Sequence, residues 1–216
     1  MPRYDLDGQA GIVTGGGRGI GRSIAIRLAH EGVGIMVADL NESNAKDVAQ
    51  EIESTGGQAM ALKMDVTRRQ DAERMVSETV DRFGRLDILV NNAKANFGKR
   101  FEHVSESEFD TLIDFNLKSM FLACQSVGHT MLKNKKGHIV NMTSDLAVRG
   151  LWNSVIPCAS EGAIHQLTSS LALEWGRDGI RVNGIGAGWL TTQNKSDAAE
   201  PDLLDRYLPS KRKGHP

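Results

Sequence analysis

Residues 14–21 read TGGGRGIG, and the spacing of these glycines suits one chemistry in particular. The stretch follows a short apolar run and opens a segment of helical period. Glycines at such a point let the backbone turn sharply and approach a pyrophosphate closely. The helix N-terminus behind them offers unbonded amides and the positive end of its dipole. Thr14, Gly15, Arg18, Gly19, Ile20 and Gly21 are the residues this reading sets against the ligand. A tight strand-to-helix turn is the plainer alternative, but the position directly after a first strand favours binding. Asp39 ends the next apolar run, about 20 residues further on. A carboxylate there can accept hydrogen bonds from both ribose hydroxyls and repels a 2′-phosphate, which favours NAD over NADP. Its plainer role is to cap the next helix. Arg18 is a counter-signal, because a guanidinium near the ribose tolerates a phosphate.

Short apolar runs alternate with longer helical stretches along the chain. Strands are expected at 9–13, 34–38, 59–64, 86–90, 138–142 and 181–185. Helices are expected at 19–30, 42–54 and 69–83. In the first of these Ile20, Ile24 and Leu28 share a face, and in the third Ala72, Met75, Val76, Thr79, Val80 and Phe83 do. A long helix should begin at Ser105, which has capping-box spacing with Glu108, with Phe109, Leu112, Ile113, Leu117, Met120 and Phe121 as its apolar face. Another is expected over 157–177. This alternation argues for an α/β fold, a parallel sheet with helices on both faces, in a single domain over 1–216. After Gly188 the chain turns polar, with one further helix expected at 201–208.

The net charge of −1 excludes a global field that would draw the chain to nucleic acid or an acidic membrane. The basic run at 211–213 reads as a solvated segment. Cys124 and Cys158 form no CxxC pair, so a reducing cytoplasm and no metal site are expected. The apolar runs are all too short to span a bilayer, and the N-terminus lacks a signal peptide's apolar core.

Taken together, the glycine turn at 14–21, Asp39, the pair Asp65-Val66, the NNA at 91–93, Asn116, the HIVNMTS stretch ending at Ser144 and the RVNGIGAG at 181–188 resemble the short-chain dehydrogenase/reductase family. The resemblance covers nearly the whole chain and implies a doubly wound, Rossmann-like sheet. It places Asp65 and Val66 at an adenine and Asn92 and Ala93 along the cofactor cleft. It makes Ser144 the holder of a substrate oxygen and Asn116 the anchor of a water in a proton relay. On the residues alone, Ser144 reads as a strand-end cap and Asn116 as a group that satisfies backbone at a kink. The chain stops about where the resemblance implies another helix and a seventh strand. Homo-oligomer contacts are expected through the helices at 105–133 and 157–177.

The pattern breaks at the proton-transfer pair. Where the resemblance implies a Tyr and, one helical turn later, a Lys, the chain has Pro157 and Glu161 in otherwise matching surroundings. A tyrosine with an ordinary pKa near ~10 becomes a usable acid at neutral pH beside an ammonium. Proline has no proton to give. It is compatible with a helix's first turn, with Ser154 just outside as a cap. Glu161 either turns to solvent or accepts bonds from the nicotinamide ribose, where its charge would bias binding toward the oxidised cofactor. Lys94 stands where the resemblance implies a glycine. It either points outward or reaches the cleft and pairs with Glu161. Ala187 replaces a proline of the pattern. Two functions follow: an NAD(H)-binding oxidoreductase for an alcohol or ketone, with water, His165 or Lys94 as proton route, or a catalytically inactive NAD-binding pseudoenzyme. A non-redox enzyme that keeps NAD as a fixture is a third.

Overall fold

The computed structural model describes residues 4–188. Six parallel strands form one sheet: β1 (Ala10–Thr14), β2 (Gly34–Asp39), β3 (Ala59–Lys63), β4 (Ile88–Asn91), β5 (Gly137–Ser144) and β6 (Ile180–Ala187), in the order β3-β2-β1-β4-β5-β6. The helices are α1 (Gly19–His30), α2 (Glu42–Ser54), α3 (Arg69–Phe83), α4 (Glu106–Ile113), α5 (Ser119–Asn134) and α6 (Val155–Trp175). Alternate strand residues feed two cores. Ile12, Met36, Leu89 and Ile139 pack with Met75 of α3, Val127 and Met131 of α5 and Ile164 of α6. Val13, Ile35, Val37 and Val90 pack on the other face with Ala25 of α1 and Val48 and Ile52 of α2. Each such buried aliphatic side chain contributes about 1.5–3 kcal/mol. With both faces covered, the strands read as near-continuous apolar runs.

The chain winds outward from β1 in both directions, so the strand order reverses between β1 and β4. In sheets of this kind a crevice opens at that point, beyond the carboxyl ends of the strands. The glycine turn after β1 and the loop after β4 meet there.

Several expectations are corrected. The long helix from Ser105 is two helices joined by a π-helical turn, Asp114–Lys118. The Ser105–Glu108 capping box does form, but Phe109 and Phe121 lie half-exposed rather than on a wholly buried face. β5 runs on to Ser144 because β6 pairs with it throughout, ending at Ser144 opposite Ala187. α6 starts at Val155, so Pro157 falls in its first turn, where amides have no intrahelical acceptor anyway. Ser154 precedes the helix without capping it, since its hydroxyl donates to the Trp152 carbonyl at 3.2 Å. The expected segments at 201–208 and 211–213 lie outside the described residues.

Candidate active site at the sheet's switch point

Thr14 ends β1 and ties the glycine turn to the loop after β4. Its buried hydroxyl donates to the Val90 carbonyl and accepts from the Asn92 and Ala93 amides at 3.0 and 3.3 Å. The Asn92 side-chain amide returns the bond, donating to the Thr14 and Gly15 carbonyls at 3.1 Å each. Space explains two of the glycines. Gly15 has φ +61, and a Cβ there would press on Ala93 at 3.0 Å. One at Gly21 would collide with the Gly15 carbonyl. The exposed Arg18 occupies the N-cap position of α1 in extended conformation and supplies no side-chain cap. Gly19 and Ile20 begin the helix behind it. An oxyanion fits this cradle of backbone amides.

Asp39 lies against the same turn. Its Oδ2 accepts from Gly17 N and its Oδ1 from Asn41 N, both at 2.9 Å. Each oxygen keeps a further lone pair for a hydroxyl. Capping of α2 falls to Asn41, whose side chain accepts from Asn44 N. Val66, Thr14, Met64, Asn91, Ala93 and Met120 line a small cavity beside the turn. Asp65 is drawn into a local turn, accepting from Thr67 N at 2.9 Å and Thr67 Oγ1 at 2.7 Å. The helix-terminal amides after the glycine turn and the remaining lone pairs of Asp39 are donors and acceptors of the kind a dinucleotide's phosphates and ribose require.

The second half of the site joins β5, the π turn, α6 and the loop after β4. Asn116, 2% exposed, lies within the π turn. Its Oδ1 accepts from Ala95 N at 2.9 Å. Its Nδ2 donates to Ala95 O at 3.0 Å and to Ser160 Oγ at 3.3 Å. The amide therefore clamps backbone at a helix irregularity. Ser144, at the end of β5, accepts from Leu146 N through its Oγ at 3.3 Å, which leaves the hydroxyl hydrogen out of that bond.

Glu161 does not turn to solvent. It is 6% exposed and collects three donors: Lys94 Nζ on Oε1 at 2.6 Å, and Thr143 Oγ1 and Ser144 N on Oε2 at 2.7 and 3.0 Å. Of the two readings of Lys94, the inward one holds, with side-chain exposures of 23% and 8% for the pair. Lys94 cancels the charge that a lone carboxylate would place in the cleft. Burial pushes the Lys94 pKa below the ordinary lysine value, while the Glu161 carboxylate acts in the opposite direction. His165, one helical turn beyond the buried Glu161, is exposed. Pro157 is buried at the head of α6, and its carbonyl accepts from Ser160 Oγ at 2.8 Å.

Thr143 and Ser160 are site residues that the sequence did not single out. Cys124 is inert: burial pushes its thiol up to about 12. Among the described residues no cluster of His, Cys, Asp or Glu is fit to hold a metal, and no helix is long and apolar enough to cross a membrane.

The model for short chain dehydrogenases matches residues 9–202. The chain belongs to the short-chain dehydrogenase/reductase family. Within it, this family member is 35% identical to the 7alpha-hydroxysteroid dehydrogenase of Escherichia coli (strain K12), over 98% of this chain and 84% of that protein. It is likewise 35% identical to a 3-oxoacyl-(acyl-carrier-protein) reductase of Staphylococcus epidermidis, over 95% of this chain and 86% of that one. The crystal structure of NAD+-bound xylitol dehydrogenase superposes with a TM-score of 0.84 at 30% identity, covering 88% of this chain and 73% of that one. A Sinorhizobium meliloti 1021 structure assigned to the short-chain alcohol dehydrogenases reaches 0.88 at 34% identity, covering 94% and 81%. All four of these relatives are named as dehydrogenases or reductases, so an oxidoreductase framework is common to them.

Proposed function

We propose that this chain is an NAD(H)-binding oxidoreductase for a small-molecule alcohol or ketone, working with an atypical proton-transfer group. One observation carries the cofactor reading: Asp39 is fixed by Gly17 N and Asn41 N at the rim of the glycine turn, with lone pairs left for a ribose diol and a charge that opposes a 2′-phosphate. A nicotinamide dinucleotide bound there supplies or accepts a hydride. Thr14, Gly15, Arg18, Gly19, Ile20, Gly21, Asp39, Asp65, Val66, Asn92 and Ala93 are the residues proposed to hold it, with Ser144 to bind the substrate oxygen. Asn116 acts by positioning the loop after β4.

Fluorescence titration with NAD+, NADH and NADP+, followed by an absorbance assay on an alcohol and ketone panel, tests this reading. NAD(H) binding with turnover supports it, and tighter NADP+ binding overturns the cofactor preference. Binding without turnover favours the second reading, a pseudoenzyme. Its supporting observation is Pro157, which has no proton to exchange. We place the protein in the cytoplasm as a single dinucleotide-binding domain that needs neither nucleic acid nor membrane. Homo-oligomer contacts through 105–133 and 157–177 are supported by the exposed Phe109, Phe121 and Leu173 on those helices.

A further inference from the structure

Glu161 holds two different things on its two oxygens. Oε1 carries the Lys94 ammonium at 2.6 Å, and Oε2 carries the Ser144 amide at 3.0 Å. A single carboxylate thus fixes the cation of the β4 loop beside the residue proposed to hold the substrate oxygen. Thr143 Oγ1 donates to the same Oε2 at 2.7 Å, which leaves the carboxylate little freedom to swing away. The loop is pinned on its other side by the two bonds between Asn116 and Ala95, and again where Lys99 N donates to the Asn153 carbonyl at 2.7 Å. Lys94 is therefore tied to the end of β5 through Glu161 and flanked by a backbone fixed at Ala95. An ammonium has three N–H donors, and Glu161 takes one.

We infer that Lys94 is the residue that exchanges a proton with the substrate oxygen beside Ser144, and that Glu161 is the positioning residue that keeps its ammonium there. This rests on the oxidoreductase reading above. In the reducing direction the carbonyl carbon gains a hydride, for which a dihydronicotinamide is the reductant. The C=O π pair closes onto oxygen, and that oxygen takes one proton from the Lys94 ammonium. The neutral amine left on Glu161 regains its proton from water. Alcohol oxidation runs the same exchange backward. Burial, which favours the neutral amine, brings Lys94 closer to the range of a working acid. Among the described residues, the charged group that bonds to it is Glu161 from α6. β5 contributes the uncharged Thr143 and Ser144, and the π turn contributes the uncharged Asn116 against Ala95.

The test has two readouts. In the NADH-bound protein, pH-dependent acetylation of individual lysines is read by peptide mass spectrometry. Lys94 is expected to titrate below exposed lysines such as Lys133, and Glu161→Gln to move it lower still. Co-titration with the exposed lysines, unmoved by Glu161→Gln, overturns the assignment. In parallel, Lys94→Arg keeps a cation and its donors but cannot release a proton. It should retain its melting temperature and bind NADH within about threefold of wild type, yet lose about 100-fold or more in carbonyl reduction. Wild-type turnover in Lys94→Arg or Lys94→Met overturns the proton role and leaves the oxidoreductase reading intact. NADH binding with no carbonyl reduction by the wild type overturns both the proton role and turnover. Failure of the wild type to bind NADH overturns the cofactor reading itself.

Discussion

Asn116 grips Ala95 at both main-chain groups, accepting from its N–H at 2.9 Å and donating to its C=O at 3.0 Å. This clamp joins the π turn to the residue next to Lys94. Replacing Asn116 by Ala leaves a half-buried amide and carbonyl without this partner, at a cost of about 2 kcal/mol. The melting temperature should fall by roughly 4–8 °C for a chain of this size. Asn116→Asp keeps the acceptor but sets a carboxylate against the Ala95 carbonyl, so it should be no more stable than the alanine variant. Thermal melts of both decide the point. A melting temperature unchanged in Asn116→Ala would show that the clamp contributes nothing.

Asp39 stands between the glycine turn and the proposed ribose. Asp39→Ser removes the charge, and with it the strong acceptors for a diol. NAD+ affinity should fall by about tenfold or more, the worth of a hydrogen bond to a charged group. NADP+ binding should improve relative to NAD+, because the repulsion of a 2′-phosphate is gone and Arg18 is exposed nearby. Titration of both cofactors against wild type and variant measures the switch. An unchanged ratio would remove Asp39 from the ribose site.

Much of this framework was legible before any coordinates. The apolar stripes and their flanking residues placed α1, α2 and α3 at the observed bounds, because each helix buries one stripe and stops at an unambiguous break. Gly84, for instance, ends α3 in the left-handed region at φ 74. The π turn was not legible. One inserted residue leaves Leu112, Leu117 and Met120 looking like a single helical face, and Asn116, one turn beyond the buried Leu112, falls on the inner side with or without it. Nor did the sequence choose between the two readings of Lys94. It lies 67 positions from Glu161, and only the meeting of the β4 loop with α6 at the ends of the strands brings them together. The charge reversal at Glu161 was plain from the start, but its compensation by Lys94 depended on that meeting.

Acid should loosen the start of α4. Glu108 accepts from Lys99 Nζ at 2.7 Å and from Ser105 N at 2.8 Å, and these partners hold its pKa at about 2 rather than 4.5. The unfolded chain therefore binds the proton more readily than the native one. The stabilisation is fully present above pH 4.5 and is lost as pH falls toward 2. Because the group is exposed to solvent, the effect should be modest and should shrink with added salt. Denaturant melts of wild type and Glu108→Gln should differ most at neutral pH and converge over this window. A difference that does not depend on pH would mean the capping geometry, not the charge, accounts for the effect.

The Lys94–Glu161 pair also determines how a conventional proton-transfer pair could be installed. Pro157→Tyr with Glu161→Lys supplies the residue types that the family pattern implies. It also removes the carboxylate that neutralises Lys94 and puts a second ammonium within reach of the first. Two partly buried cations at that distance repel by several kcal/mol at an effective dielectric near ~20. The double variant should therefore melt below wild type and show little turnover. Adding Lys94→Gly removes the competing cation and leaves the introduced lysine free to act on the introduced tyrosine. The triple variant should regain the lost stability and exceed the double in ketone reduction by about tenfold or more. Comparing the melting temperatures, NADH affinities and turnover of the double and triple variants isolates the contribution of Lys94. Equal behaviour of the two would show that Lys94 does not reach this site, contrary to the 2.6 Å contact with Glu161.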